Sequence, residues 1–277
     1  MNKLAAETAK KVLGERRASG YFLFALSSQL WLLWKARNLR SNILCRLMSH
    51  DKFDQLNRYE AKHYSQFGED GIIGAIFQRV GATDKFCVEF GVGNGTECNT
   101  AYLVRKRGWS TLWMDALEGA SEVIKRENIT AENINQLFIK HNVPRTFDLL
   151  SIDVDYNTYW VWKAIEGFSP RVVVVEYNAF LPLTESLAVP YDPHVIWDGT
   201  NYYGASLLAL TKLATEKGYT LVACDNSGND AFFVRNDLKY NFLSRSIEEI
   251  YRPFKCGEVV NGRRTGHPLS DKQFVAV

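Results

Sequence analysis

From residue 63 onward, short apolar runs alternate with amphipathic stretches, and no other feature of the sequence restricts the fold as much. Runs of β-branched and aromatic residues stopped by turn residues read as strands, and intervening stretches with a 3.6-residue period read as helices. Strands joined through helices pair in parallel, with helices covering both faces of the sheet. The runs place strands near 86–90, 110–114, 148–152, 171–176, 219–224 and 231–235. Ahead of the first, "DGIIGAIFQRV" (70–80) sets Ile72, Ile73, Ile76, Phe77 and Val80 on one helical face that must pack on the sheet. "YGASLLALTKLATEKGY" reads as a further helix, closed by Gly218. A chain of 277 residues, 46% of them hydrophobic, can bury one core and carry an appendage, which excludes a disordered or fibrous protein.

The five cysteines, Cys45, Cys87, Cys98, Cys224 and Cys256, are odd in number and form no CxxC pair. That argues against a disulfide framework and a cysteine zinc site, and for a reducing, cytoplasmic setting. Charge is unevenly spread: residues 1–50 carry a net +7, which leaves −5 on the rest of a chain whose total is +2. Within the basic part, "GYFLFALSSQLWLLW" (20–34) has no charged residue and is flanked by Arg16, Arg17, Lys35, Arg37 and Arg40. As a helix it would extend about 22 Å, short of a hydrocarbon core of about 30 Å. Two readings stay open. Residues 16–40 lie on an anionic membrane surface at the inner face of the membrane, or the helix packs on protein, including a second copy of the chain.

The stretch "KFCVEFGVGNGTECNTAYL" (85–103) puts Gly91, Gly93 and Gly95 directly after a strand. Glycine allows positive φ and close approach of a ligand to bare backbone, so the cluster reads as a tight turn or as a turn that binds. The spacing differs from the dinucleotide G-x-G-x-x-G, whose third glycine lies one residue later. The order Glu89-x-Gly91-x-Gly93-x-Gly95 resembles motif I of the class I S-adenosylmethionine-dependent methyltransferases, in the type that O-methylates bacterial glycans and natural products. The resemblance covers about residues 63–236. It implies a Rossmann-like α/β fold with a largely parallel seven-stranded sheet flanked by helices, here with an N-terminal helical extension.

The same resemblance implies further residues. Asp115, ending the second strand in "GWSTLWMDA", would accept both ribose hydroxyls of the cofactor. Glu132 and Asn133 stand where the family's next loop meets adenine, and Gln66, with Glu69 and Asp70, in a stretch that covers the cofactor. Ligands of open α/β sheets bind beyond the carboxyl ends of the strands, so Asp153, Asp155, Glu176 and Asn178 should converge on the acceptor side. Asp153, Asp155 and Asn178 are the catalytic candidates, and Asp153 with Glu176 the candidate ligands of Mg²⁺ or Mn²⁺. The pattern departs from the family in "EYN" after the fifth strand, where two adjacent acids are usual, and in the bulky Tyr156. From the residues alone, the two aspartates read equally as helix caps, and Glu176 and Asn178 as the close of a strand.

The expectation is therefore an O-methyltransferase acting on a hydroxyl of a small molecule, glycan or glycolipid precursor. It has an extension (1–62), a methyltransferase domain (63–236) and a tail packed on it (237–277). A non-catalytic scaffold and an NAD-dependent oxidoreductase are the alternatives. The negative charge of the main domain argues against a nucleic acid partner.

Overall fold

The structure is a computed structural model that describes residues 55–116, 123–255, 259–260, 263–264 and 266–277. The apolar segment 20–34 and the proposed membrane contact at 16–40 lie outside the described residues. The chain divides between Asp54 and Gln55, so the folded unit Gln55–Val277 begins ahead of the boundary drawn from the sequence at 62. Leu56, buried in a short 3₁₀ turn (Leu56–Tyr59), belongs to its core.

Strands β1 (Phe86–Phe90), β2 (Ser110–Asp115), β3 (Ile124–Arg126), β4 (Thr146–Ile152) and β5 (Ser169–Glu176) pair in parallel. After the two-residue β6 (Leu187–Ala188) come β7 (Tyr219–Cys224) and β8 (Asp230–Arg235), with β8 antiparallel to both β5 and β7. The seven-stranded sheet has the order β3-β2-β1-β4-β5-β8-β7 and is Rossmann-like: largely parallel, with helices on both faces. The six strands read from apolar runs all form. The seventh, β3, is three residues long and escaped that reading because it carries one buried side chain, Ile124.

Period-2 alternation distributes the side chains between two cores. On one face, α1 (Glu69–Val80) and α2 (Ala101–Arg107) cover Cys87, Leu149, Val172 and Val174 with Ile72, Ile73, Ile76 and Leu103. On the other, α3 (Ile134–Lys140), α4 (Thr158–Ala164) and α5 (Leu207–Glu216) cover Val88, Phe90, Leu150, Ile152 and Val173. Tyr159 and Trp162 of α4 are buried in this second core, and Trp160 packs half-buried against it. Helix α5 starts at a Ser206 cap, whose Oγ accepts the Ala209 N–H at 3.1 Å, and Gly218 follows it with φ +83°. The tail returns to the body: Tyr251 Oη donates to Ala179 O at 3.0 Å, and Val275–Ala276 pairs with β6. Among the described residues no helix is long and apolar enough to cross a membrane.

Candidate functional site

The sheet reverses its strand order between β1 and β4, and their carboxyl ends therefore open a crevice. The glycine turn lies on one side of it. Gly91 has φ +78°, and a Cβ there would stand 1.3 Å from Asp153 O, so the turn after β1 rests directly on the chain leaving β4. Gly95, at φ +79°, packs against Ile124 Cδ1, 3.1 Å from its would-be Cβ. Gly93 differs from both. Its φ is +53°, yet nothing lies within 4 Å of a Cβ, so of the three glycines it alone has open space on its Cβ side.

Acids hold the turn. Both oxygens of the buried Glu89 face the start of α2, accepting Asn99 N–H at 2.7 Å, Thr100 N–H at 3.0 Å and Thr100 Oγ1 at 2.6 Å. Burial still raises its pKa, against the pull of these donors. Glu89 thus ties the segment after the turn to β1 rather than presenting a carboxylate to the crevice. Asp115 ends β2 as expected and accepts the Gly93 N–H at 2.7 Å through Oδ2, which joins the end of β2 to the glycine turn.

Gln66 is exposed, whereas its neighbours Glu69 and Asp70 are buried and fold the 63–68 stretch over the start of α1. Glu69 accepts the N–H groups of Phe67 and Gly68, and Asp70 Oδ2 accepts those of His63, Tyr64 and Ser65. Asn133 spends its amide on the turn 128–133, accepting Thr130 N–H at 2.9 Å and donating to Asn128 O at 2.7 Å. Glu132 is exposed and accepts a hydrogen bond from Tyr191 Oη.

Across the crevice, Asp153, Asp155 and Glu176 each offer a carboxylate oxygen, and these atoms all lie within 4.8 Å of one another. Burial, and then the Asp155 charge, push Asp153 up to about 7. Glu176 is held well above the ordinary carboxylate range by burial and by Asp153, and its Oε2 is buried with no partner. Asp155 is the most exposed of the three, and desolvation by the surrounding chain, followed by the charge of Asp115, raises it as well. Its backbone sits at φ +51°, a conformation that L residues rarely adopt. Neither aspartate caps α4, whose first turn carries no side-chain cap bond. Asp230, at the start of β8 opposite Glu176, adds a further buried acid whose Oδ2 accepts Asn99 Nδ2 at 3.0 Å. The pairing of β8 with β5 that brings it here carries no local signal in the sequence.

Asn178 requires a correction. It is fully buried, and its amide donates to Asn201 O at 2.9 Å and Tyr203 O at 2.8 Å while accepting Phe180 N–H at 3.0 Å. It anchors the 201–203 segment and offers no group to an acceptor; the "EYN" pattern could not reveal this because its partners lie far along the chain. Tyr156 is also buried, edge-on to Tyr202 at 5.8 Å, and so does not stand in the crevice.

No family model matches the sequence, nor does any curated protein. Among solved structures, the chain is similar to the CMeT domain of a citrinin polyketide synthase at 11% identity and a TM-score of 0.34. That match covers 60% of this chain and about half, 51%, of the other. It is also similar to an S-adenosylmethionine-dependent methyltransferase from Clostridium acetobutylicum ATCC 824 at 12% identity and a TM-score of 0.34, over 72% of this chain and 99% of that one. Likeness at this level carries no argument about what the present chain does, which rests on its own site.

Proposed function

We propose that this chain is an S-adenosylmethionine-dependent O-methyltransferase that places a methyl group on a hydroxyl of a glycan or glycolipid precursor. One observation carries the reading: the glycine turn and the carboxylate triad touch, since Gly91 stacks on the backbone of Asp153. A donor held along the open backbone at Gly93 therefore lies beside a group of acids able to receive a proton. Asp115, already bonded to Gly93 N, would accept the ribose hydroxyls at the same turn.

The triad fits a hard divalent cation such as Mg²⁺ or Mn²⁺. Its donors are all carboxylate oxygens, Glu176 Oε2 is buried without a partner, and the acids suppress one another's ionisation. Asp153, Asp155 and Glu176 would hold the ion, which when bound would lower the pKa of an acceptor hydroxyl. The chain supplies the rest. Transfer forms a bond between the acceptor oxygen and the methyl carbon, breaks the bond from methyl to sulfur, and releases one proton. Asp153, raised towards neutrality while no ion occupies the triad, would accept that proton in a metal-free reaction; as a ligand of the ion it would give up that role. The rigid turn held by Glu89 fixes the donor and contributes by positioning.

The basic segment 16–40 is proposed as a contact with anionic membrane near such an acceptor. Liposome binding that survives deletion of residues 1–54 would remove that contact.

The decisive test is calorimetric titration with S-adenosylmethionine and with NAD, each with and without Mn²⁺, followed by methyl transfer to glycan acceptors. Binding of S-adenosylmethionine and not NAD is expected. Preference for NAD, or no binding of either, would overturn the reading.

A further inference from the structure

A second cavity, of about 480 Å³, lies between α1 and α2, away from the crevice. This volume falls within the range of small-ligand sites. Four features of its lining converge. Gly74, in the interior of α1, has nothing within 4 Å of a would-be Cβ, so no packing demands glycine there. Glycine inside a helix costs about 0.5–1 kcal/mol relative to alanine, and the structure offers no compensation for it. One wall is aromatic: His63 stacks on Tyr102 with ring centroids 4.7 Å apart.

At the lower end stand two cations. Ser110 N donates to Lys85 O at 2.9 Å, which places Lys85 beside the end of α2 where Arg107 lies. Neither meets a carboxylate among the described residues, Arg107 lying instead over the Tyr102 ring at 5.4 Å. Lys85 is fixed there, with φ +54° and its N–H donating to Asp148 at 2.7 Å. At the upper end Asp70 lines the cavity, and its Oδ1 is buried without a partner although Oδ2 accepts three N–H groups.

The geometry points to a second ligand site in this groove, for a small nucleotide-like anion. Its phosphate would lie at Lys85 and Arg107, and its planar ring along the aromatic wall at His63 with its amine-bearing edge towards the Asp70 end of the cavity. From Gly71 to Gln78 the wall of α1 runs about 10 Å, close to the length of a mononucleotide. Arg and Lys are the usual phosphate partners, and aromatic faces take planar rings.

The test is titration of the full chain with cytidine 5′-monophosphate in saturating S-adenosylhomocysteine, compared with cytidine and inorganic phosphate as separate probes. Saturable binding of the nucleotide is expected, at least about tenfold tighter than either fragment. Gly74→Leu should abolish it by filling the groove, and Arg107→Glu should weaken it by about tenfold or more, with S-adenosylhomocysteine affinity unchanged in both and Tm not lowered in Gly74→Leu. No saturable nucleotide binding, equal binding by phosphate alone, or full affinity in Gly74→Leu would each overturn the site.

Discussion

Strand β4 has a buried aspartate near its amino end and a half-buried one just past its carboxyl end, and the two are in opposite conditions. Asp148, near the amino end, is fully buried and accepts the N–H groups of Thr83, Asp84 and Lys85 and the Thr83 hydroxyl, at 2.7–3.1 Å. Arg171 Nε lies 3.3 Å away as a counter-charge. Asp153, just past the carboxyl end, has acids as neighbours instead: Asp155, Glu176 and Glu89 all act on it. Burial therefore has no single meaning for a carboxylate. Where donors and a cation surround it, it ties the structure together; where other carboxylates surround it, charge is stored at a cost that only a proton or a cation relieves.

That contrast can be broken or sharpened by experiment. The largest effect is expected at the satisfied end. Asp148→Ala should destabilise the fold by about 3–5 kcal/mol in urea unfolding, because it strands several donors and the Arg171 charge. Asp153→Asn should do the reverse in metal-free protein at pH 8, stabilising by on the order of 1–3 kcal/mol, since a neutral amide removes repulsion. Equal losses in the two variants would erase the distinction.

Binding is the next largest effect. Gly93→Arg should eliminate S-adenosylhomocysteine binding in calorimetry, with only a modest loss of Tm from placing an L residue at φ +53°, because the side chain itself enters open space. Asp115→Ala should weaken binding by about tenfold to a hundredfold through lost hydrogen bonds. Retained affinity in both would sink the assignment of the turn.

A smaller, pH-dependent effect follows from Asp153 and Glu176. Both have folded pKa values raised above those of the unfolded chain, so between about pH 4 and 7 the native state binds more protons. The stability that these two groups lend the metal-free protein should accordingly be greatest at about pH 4 and below and fall as pH rises to 8. Thermal melts across that range check the sign, and Mn²⁺ should reduce the fall by taking the place of the protons. A melt that rises with pH would contradict the shifts. The smallest change is expected from Asn178→Ala, which should lower stability by about 1–3 kcal/mol and leave Mn²⁺ affinity unaltered.

Much of this was legible without coordinates, for a physical reason. Strands and helices announce themselves through side-chain periods of 2 and 3.6, which are local, so six of the seven sheet strands and the helix α1 follow from the residues themselves. The glycine turn and Asp115 are legible for the same reason, since each is a short pattern at the end of a strand. What could not be read is the state of the polar groups. Glu89, Asp153 and Asn178 are three polar residues at strand ends. Their fates as tie, as strained acid and as anchor depend on Thr100, Glu176 and Asn201, partners set by strand order and not by spacing. The sequence by itself determined the elements and the place of the turn. Only the tertiary structure decided which carboxylates are neutralised and which are left to crowd, because that depends on donors brought together from distant parts of the chain.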